Sequence, residues 1–366
     1  MITSLGIMSG TSLDGLDLSL IKSDGEKKVK IKYNTTYKYS QEFKNEINFL
    51  INRINKEKIK NIFQDSYFKI LEGRLNNFIL DKILCFKKKY RIQNQSIKII
   101  GLHGQTVFHN PKKKLSVQMG CGDFLAKKLS IPFVANFRNA DLLNGGQGAP
   151  LVPVFHNAIF FKNTLNTAVV NIGGISNISF IGKNGHIVSS DIGPGNTLID
   201  QFCKKKYNVD YDDNGQLSLK GNVDNELLSS WIDYSFVKKK IPKSFDNFFF
   251  DIEKFIKNKK ISDYDFLATL TMFTSILIYK SQYFFRDPIN RWIICGGGVH
   301  NKAIISNLRK QLKTVFTSDE LGWDPNFIES QAFAYLAIRK VKNYYTTFPD
   351  TTGVSSATVG GEIFNP

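Results

Sequence analysis

The sequence predicts an α/β protein built as two related lobes, and three observations carry that expectation. First, the apolar run Leu5-Gly6-Ile7-Met8 breaks into Ser9-Gly10-Thr11-Ser12-Leu13-Asp14-Gly15 and resumes as Leu16-Asp17-Leu18-Ser19-Leu20, which reads as strand, tight turn, strand. Second, the same grammar returns where Ala168-Val169-Val170-Asn171-Ile172 runs into Gly173-Gly174-Ile175-Ser176-Asn177 and resumes as Ile178-Ser179-Phe180-Ile181. Third, a strand ending in a Gly-rich loop at Ile99 to Thr106 is echoed at Ile293 to His300. One such cluster alone marks an ordinary hairpin turn. Four in matched order imply duplication, and 366 residues with 42% hydrophobic content suffice for two cores. The expected division is residues 1–130 for the first lobe, with 345–366 as a candidate addition, and 131–344 for the second.

After the opening hairpin, Glu42 to Leu50 and Asp65 to Phe86 carry helical periodicity. Ile97 to Leu102 predicts a strand, Asp123 to Leu129 a helix, and Pro132 to Asn136 a strand that delivers Arg138-Asn139-Ala140-Asp141. Asn144-Gly145-Gly146-Gln147-Gly148-Ala149-Pro150 predicts an irregular loop hinging the halves. Val152 to Phe161 reads as helix. After the second hairpin, Asp191-Ile192-Gly193-Pro194-Gly195 leads to a helix headed by the capping-type residue Asn196. Phe266 to Tyr279 has apolar residues at helical spacing but is too short to span a bilayer, so it predicts a core helix. Pro325 to Lys342 predicts a closing helix.

The net charge of +17 invites a nucleic-acid reading, but the lysine triplets at 87–89, 112–114, 204–206 and 238–240 are scattered and lack interleaved aromatics. Abundant Lys, Asn, Ile and Phe instead fit an AT-rich genome. Cys85, Cys121, Cys203 and Cys295 form no CxxC pair, so buried free thiols in a reducing compartment are expected. With no signal peptide and no membrane span, the expected location is the cytoplasm.

The first turn offers small side chains that let backbone approach an anion, hydroxyls for phosphate oxygens, and carboxylates at Asp14 and Asp17 for a hydrated Mg²⁺. The motifs GIMSGTSLDGLD (6–17), GLHGQTVFHNP (101–111), NFRNADLLNGGQGAPLVP (136–153), NIGGISNIS (171–179), DIGPGNTLID (191–200), CGGGVHN (295–301) and IESQAFAYLAIR (328–339) span nearly the whole chain. In that order they resemble the anhydro-N-acetylmuramic acid kinase family, within the sugar kinase, heat-shock ATPase and actin superfamily. The resemblance implies two lobes of actin-like ATPase, ribonuclease H-like architecture with an active-site cleft between them. It implies ATP and Mg²⁺, a sugar substrate, homodimers, and a reaction in which water opens a 1,6-anhydro bridge while the freed O6 takes the γ-phosphoryl group. The chain departs from the family at Ile241-Pro242-Lys243-Ser244-Phe245-Asp246, where relatives carry Pro-Pro-Lys-Ser-Thr-Gly, so sugar contacts from that segment are in doubt.

Mapped on these motifs, Gly10, Thr11, Ser12, Leu13, Asp14, Gly15, Leu16 and Asp17 are expected to meet the phosphates. Gly173, Gly174, Gly193 and Gly195 complete the paired phosphate loops, and Gly296, Gly297 and Gly298 supply the adenosine platform. Asp14, Asp17 and Asp191 are expected to face the metal through water; the alternatives are a solvated strand position for Asp17 and a turn cap for Asp191. Asp141 is expected to be the general base for water, against the alternative of a cap or turn residue. Arg138, His103, Gln105 and Glu329 are the expected sugar contacts, His103 competing with a hydrogen bond to backbone and Glu329 with an ordinary surface position. Two further functions stay open: a kinase of a different sugar, and a non-catalytic nucleotide-gated sugar sensor.

Overall fold

The computed structural model describes residues 1–10, 12–57, 61–234, 240–245, 249–256 and 261–366. Its contacts divide the chain into a first unit, Met1–Ile159 with Glu329–Pro366, and a second, Phe160–Ile328.

In the first unit, β1 (Ile2–Ser9) and β2 (Gly15–Ser23) form the opening hairpin, and β3 (Val29–Lys38) adds to its far edge. Helices α1 (Gln41–Glu57) and α2 (Ser66–Lys89) follow, each longer than the sequence pattern suggested. Asp65 starts α2 by accepting from the Phe68 N–H, so the capping residue sits just outside the helix. The chain then makes β4 (Ile99–Asn110), β5 (Leu115–Met119), α3 (Gly122–Leu129), β6 (Phe133–Ala135), α4 (Asn139–Leu143) and α5 (Pro153–Phe160). With β12 (Glu362–Phe364) from the end of the chain, the strand order is β12-β6-β4-β1-β2-β3, with β5 hydrogen-bonded to β4. Leu5, Ile7, Leu16 and Leu18 pack with Leu71, Leu75, Ile79 and Ile83 of α2 in one apolar cluster.

The second unit opens with the hairpin β7 (Thr167–Ile172) and β8 (Ile175–Ile181), followed by β9 (Ile187–Pro194), α6 (Thr197–Tyr207), α7 (Asn225–Ile232) and α8 (Asp263–Lys280). It closes with β10 (Arg291–Cys295), α9 (Lys302–Gln311) and β11 (Val315–Thr317), in the order β11-β10-β7-β8-β9. Helix α8 is the expected core helix, with Leu267, Leu270, Phe273, Leu277 and Ile278 all buried. α10 (Ile328–Val341), α11 (Pro349–Thr352) and β12 (Glu362–Phe364) complete the chain.

Setting β5 and β12 aside, both sheets read third, second, first, fourth, fifth strand in chain order. In both, the first three strands are antiparallel and the remaining pairings parallel. The duplicated α/β architecture expected from the repeated motifs is therefore present strand for strand.

Four expectations change. β4 does not end at Leu102: it runs through His103-Gly104-Gln105 and turns back as the β4–β5 hairpin, with its register against β1 shifting between Leu102 and Gln105. The extra residue is a bulge, which re-aims side chains without ending the strand. Residues 131–159 and 329–344 group with the first unit instead of the second, because β6 pairs with β4 and β12, and so the loop at 144–150 lies inside that unit. Asn196 precedes α6 without a side-chain cap bond, its amide donating to the Ile172 carbonyl instead. Of the cysteines, Cys203 and Cys295 are buried, whereas Cys85 is exposed and Cys121 half-buried. Burial pushes the Cys203 thiol up to about 12, which leaves it inert.

Candidate active site

Asp141 lies in the single turn of α4 and is wholly buried. A lone buried carboxylate is costly unless its oxygens are bonded. Here Oδ1 accepts from the Gly148 N–H at 2.7 Å and Oδ2 accepts from the Thr352 hydroxyl at 2.5 Å. The Asp141 carbonyl also accepts from the Gly146 N–H at 2.9 Å, and a Cβ on residue 146 would overlap Oδ1. Residue 146 is therefore glycine because the loop passes the carboxylate at backbone distance. Two of the roughly four lone-pair sites of the carboxylate are used, which leaves acceptor capacity for one more donor such as water.

The bulged part of β4 stands beside that loop. The Arg138 guanidinium donates to the Gly148 carbonyl at 3.2 Å and to His103 Nε2 at 3.1 Å. A guanidinium only donates, so Nε2 accepts, and the proton of His103 is on Nδ1, 2.8 Å from the Gly104 carbonyl. Burial, with the Arg138 charge adding to it, lowers the His103 pKa to about 3 and keeps the ring neutral. His109, on the same strand, is lowered to about 3 by burial and by Arg138. Gln105 is fully buried, and its Oε1 accepts from Ser9 Oγ at 2.5 Å; Ser9 Oγ also bonds the Tyr39 hydroxyl at 2.9 Å. His103, Arg138 and Asp141 are thus joined through Gly148 in one hydrogen-bonded group, while Gln105, in the same unit, bonds Ser9 and the Thr106 carbonyl. Glu329 sits in the first turn of α10 and is half-buried.

At the first hairpin, Gly10 is half-buried and Ser12 exposed, while Thr11 lies outside the described residues. The side chains of Leu13 and Leu16 are in the core, so only their backbone is available to a ligand. Leu13 has φ +59°, and its N–H donates to the Gly10 carbonyl, closing the turn. Asp14 is exposed and pairs with Lys44 at 3.5 Å. Asp17 accepts from the Thr36 hydroxyl at 2.5 Å across the β2–β3 pair. Among the described residues no three metal-ligating side chains gather. Two carboxylates at one turn nonetheless suit Mg²⁺, which keeps most of its waters and leans on substrate phosphates.

The second unit assembles its loops differently. The Gly173 carbonyl accepts from the Asn196 N–H at 2.8 Å, and the Gly174 carbonyl accepts from the N–H groups of Gly195 at 2.8 Å and Thr197 at 3.2 Å. A Cβ at Gly195 would overlap the Gly173 carbonyl, and one at Gly296 would overlap Asn171 Oδ1. Gly193 is the penultimate residue of β9, while Gly297 and Gly298 form the turn that enters α9 behind Asn301, which caps it through the Ala303 and Ile304 N–H groups. The three glycine segments are thus one backbone cluster. Asp191 does not cap the following turn: its Oδ2 accepts from the Phe245 N–H at 2.8 Å, and its N–H donates to the Lys243 carbonyl at 2.9 Å. Phe245, one of the three residues that depart from the family pattern, is buried against Phe249 and Phe250; Asp246, another, lies outside the described residues.

Sequence reasoning missed Thr352, Ser9 as a side-chain partner of Gln105, and Tyr39. A Pro-Asp-Thr-Thr-Gly run near the C-terminus, 349–353, was the available signal for the first, being a capped turn that ends in glycine.

A family model described as anhydro-N-acetylmuramic acid kinase matches residues 2–366. A protein of that name from Methylobacterium nodulans is 36% identical, covering 99% of this chain and 100% of the relative. Another, from Pelagibacter ubique, is 39% identical over 99% of this chain and 98% of the relative. Among solved structures, the activator of the 2-hydroxyisocaproyl-CoA dehydratase from Clostridium difficile aligns at 13% identity with a TM-score of 0.45, covering 93% of this chain and 96% of that one. The fold assignment rests on the strand orders and not on that likeness.

Proposed function

The chain belongs to the anhydro-N-acetylmuramic acid kinase family, and from that premise we propose that it consumes ATP to convert 1,6-anhydro-N-acetylmuramic acid into N-acetylmuramic acid 6-phosphate during recycling of cell-wall peptidoglycan. Asp141 takes a proton from water; the water oxygen bonds C1, the C1–O6 bond breaks, and O6 accepts the γ-phosphoryl group as ADP leaves. The proton on Asp141 then passes to solvent. The observation that carries this reading is the buried Asp141 carboxylate, pinned at both oxygens yet with acceptor sites unused.

Arg138, which donates to the Gly148 carbonyl and to the neutral His103, is in this reading the side chain that meets an anionic group on the sugar. His103, Gln105 and Glu329 complete the sugar contacts in this reading. Phosphoryl transfer is mostly positioning and charge neutralisation, so the backbone loops matter as much as side chains. Gly10 to Gly15 of the first unit and Gly173, Gly174, Gly193 and Gly195 of the second serve the phosphates. Gly296 to Gly298 serve the nucleoside in this reading, where the absence of side chains lets backbone lie against a flat ring. Asp14 and Asp17 would hold the waters of Mg²⁺, which neutralises phosphate charge when bound. Asp191 acts on the metal side only if it also keeps its Phe245 bond. No helix among the described residues is long and apolar enough to cross a membrane, and a cytoplasmic homodimer completes the reading on the strength of the family resemblance. Mass spectrometry of the product from anhydro-N-acetylmuramic acid and MgATP tests it: a mass gain of one phosphoryl unit (HPO₃) plus one water is expected, and a gain of the phosphoryl unit alone would point to a kinase of another kind.

A further inference from the structure

We propose that Thr352 is a positioning residue for the reaction, acting through Asp141; the inference rests on Asp141 being the general base. Thr352 stands 211 residues from Asp141 in sequence, is fully buried, and directs its hydroxyl proton at Oδ2 from 2.5 Å. The segment that carries it is built to hold it there. Pro349 opens α11, the Thr351 hydroxyl accepts from the Phe348 N–H at 2.9 Å, and Gly353 ends the turn with φ +76°. The backbone of the same segment ties down the other side of the carboxylate pocket. The Thr352 carbonyl accepts from the Gln147 N–H at 2.8 Å, the Ser355 N–H donates to the Asn144 carbonyl at 3.1 Å, and the Asn144 amide donates to Thr358 Oγ1 at 3.1 Å.

A general base must present a lone pair to water in one orientation, and a carboxylate rotates about its Cβ–Cγ bond unless both oxygens are held. Gly148 holds Oδ1 through backbone, so no side-chain exchange removes that bond. Thr352 holds Oδ2 through a side chain, which makes it the adjustable half of the clamp. Its hydroxyl donates to Oδ2, so the oxygen it holds serves there as an acceptor.

The test is a double-mutant cycle of Asp141→Asn and Thr352→Val, with Thr352→Ser as the conservative variant and thermal melting measured for each. Loss of one hydrogen bond to a charged group predicts a kcat roughly 10- to 100-fold lower for Thr352→Val, with KM for ATP within about twofold. Thr352→Ser recovers most of that loss. In the Asp141→Asn background, Thr352→Val costs almost nothing further, because the group it acts through is gone. If Thr352→Val multiplies the Asp141→Asn defect in full, or if Thr352→Ser is as impaired as valine while melting normally, the proposal is overturned. If Asp141→Asn alone stays within a few-fold of wild type, the general-base reading fails, which is a distinct result.

Discussion

The carboxylate pocket of the first unit and the glycine cluster of the second are both loop sites following short strands, yet they are made from opposite materials. In the pocket, one buried side chain is gripped by backbone and by a hydroxyl from the far end of the chain. In the cluster, backbone grips backbone, and side chains matter mainly by being absent. A proton-transfer step needs one group with one proton affinity in one place, whereas a polyphosphate needs several weak donors at close approach. The first site should therefore fail when a functional group changes and the second when bulk is added.

The largest expected effect is at the pocket. Asp141→Asn keeps the shape but removes the base, and kcat should fall roughly 10²- to 10⁴-fold with ATP binding nearly intact. Titration calorimetry with ATP alongside steady-state kinetics separates the two quantities; parallel loss of both would erase the distinction between the sites. Next comes Gly195→Ala in the cluster, where the new Cβ meets the Gly173 carbonyl. Here ATP affinity should fall about 10- to 100-fold, with sugar binding changed little. An alanine variant that binds ATP normally would mean that the backbone cluster does not serve the nucleotide.

The sequence made both sites visible to different depths. Runs such as Asn171 to Asn177 and Cys295 to His300 announce backbone loops through glycine itself, and the alternating apolar residues of β1, β2, β7 and β8 set the duplicated sheets. Asp141 was legible only through the long motif around it, since an isolated Asp before Gly-Gly reads as a turn residue. The contacts of Thr352 and Tyr39 are illegible because they are tertiary hydrogen bonds across long sequence separations. The continuation of β4 past Leu102 was missed because a bulge interrupts the two-residue period on which strand reading depends. In the segment that departs from the family pattern, Phe245 is buried against Phe249 and Phe250, a packing role that only tertiary structure displays.

Acidity offers a further way to separate the two units. His103, His109 and His156 all lie in the first unit, and burial lowers each to about 3 from an ordinary value near 6.5. The unfolded chain binds more protons than the folded one between those values, so the stabilising contribution is complete above pH 6.5 and drains as pH falls toward 3. At pH 5 each should cost on the order of 2 kcal/mol relative to neutral pH. Hydrogen exchange at pH 5 and 7, corrected for intrinsic rates, should show first-unit amides losing protection first. Uniform loss across both units would contradict this.

The smallest expected change is Asp14→Ala, which removes an exposed carboxylate paired with Lys44. Turnover at limiting Mg²⁺ should fall about 3- to 10-fold and recover at high Mg²⁺, since the ion is held mainly by phosphates and water. A defect that ignores Mg²⁺ concentration would take Asp14 off the metal side.

The central claim, that Asp141 activates an outside water at C1, is tested most directly by running the reaction in ¹⁸O-enriched water with a quench fast enough to limit anomeric exchange. One heavy oxygen should appear on C1 of the phosphorylated sugar and none in the transferred phosphoryl group. Heavy oxygen in the phosphoryl group, or phosphorylated product with no label at all, would contradict the account.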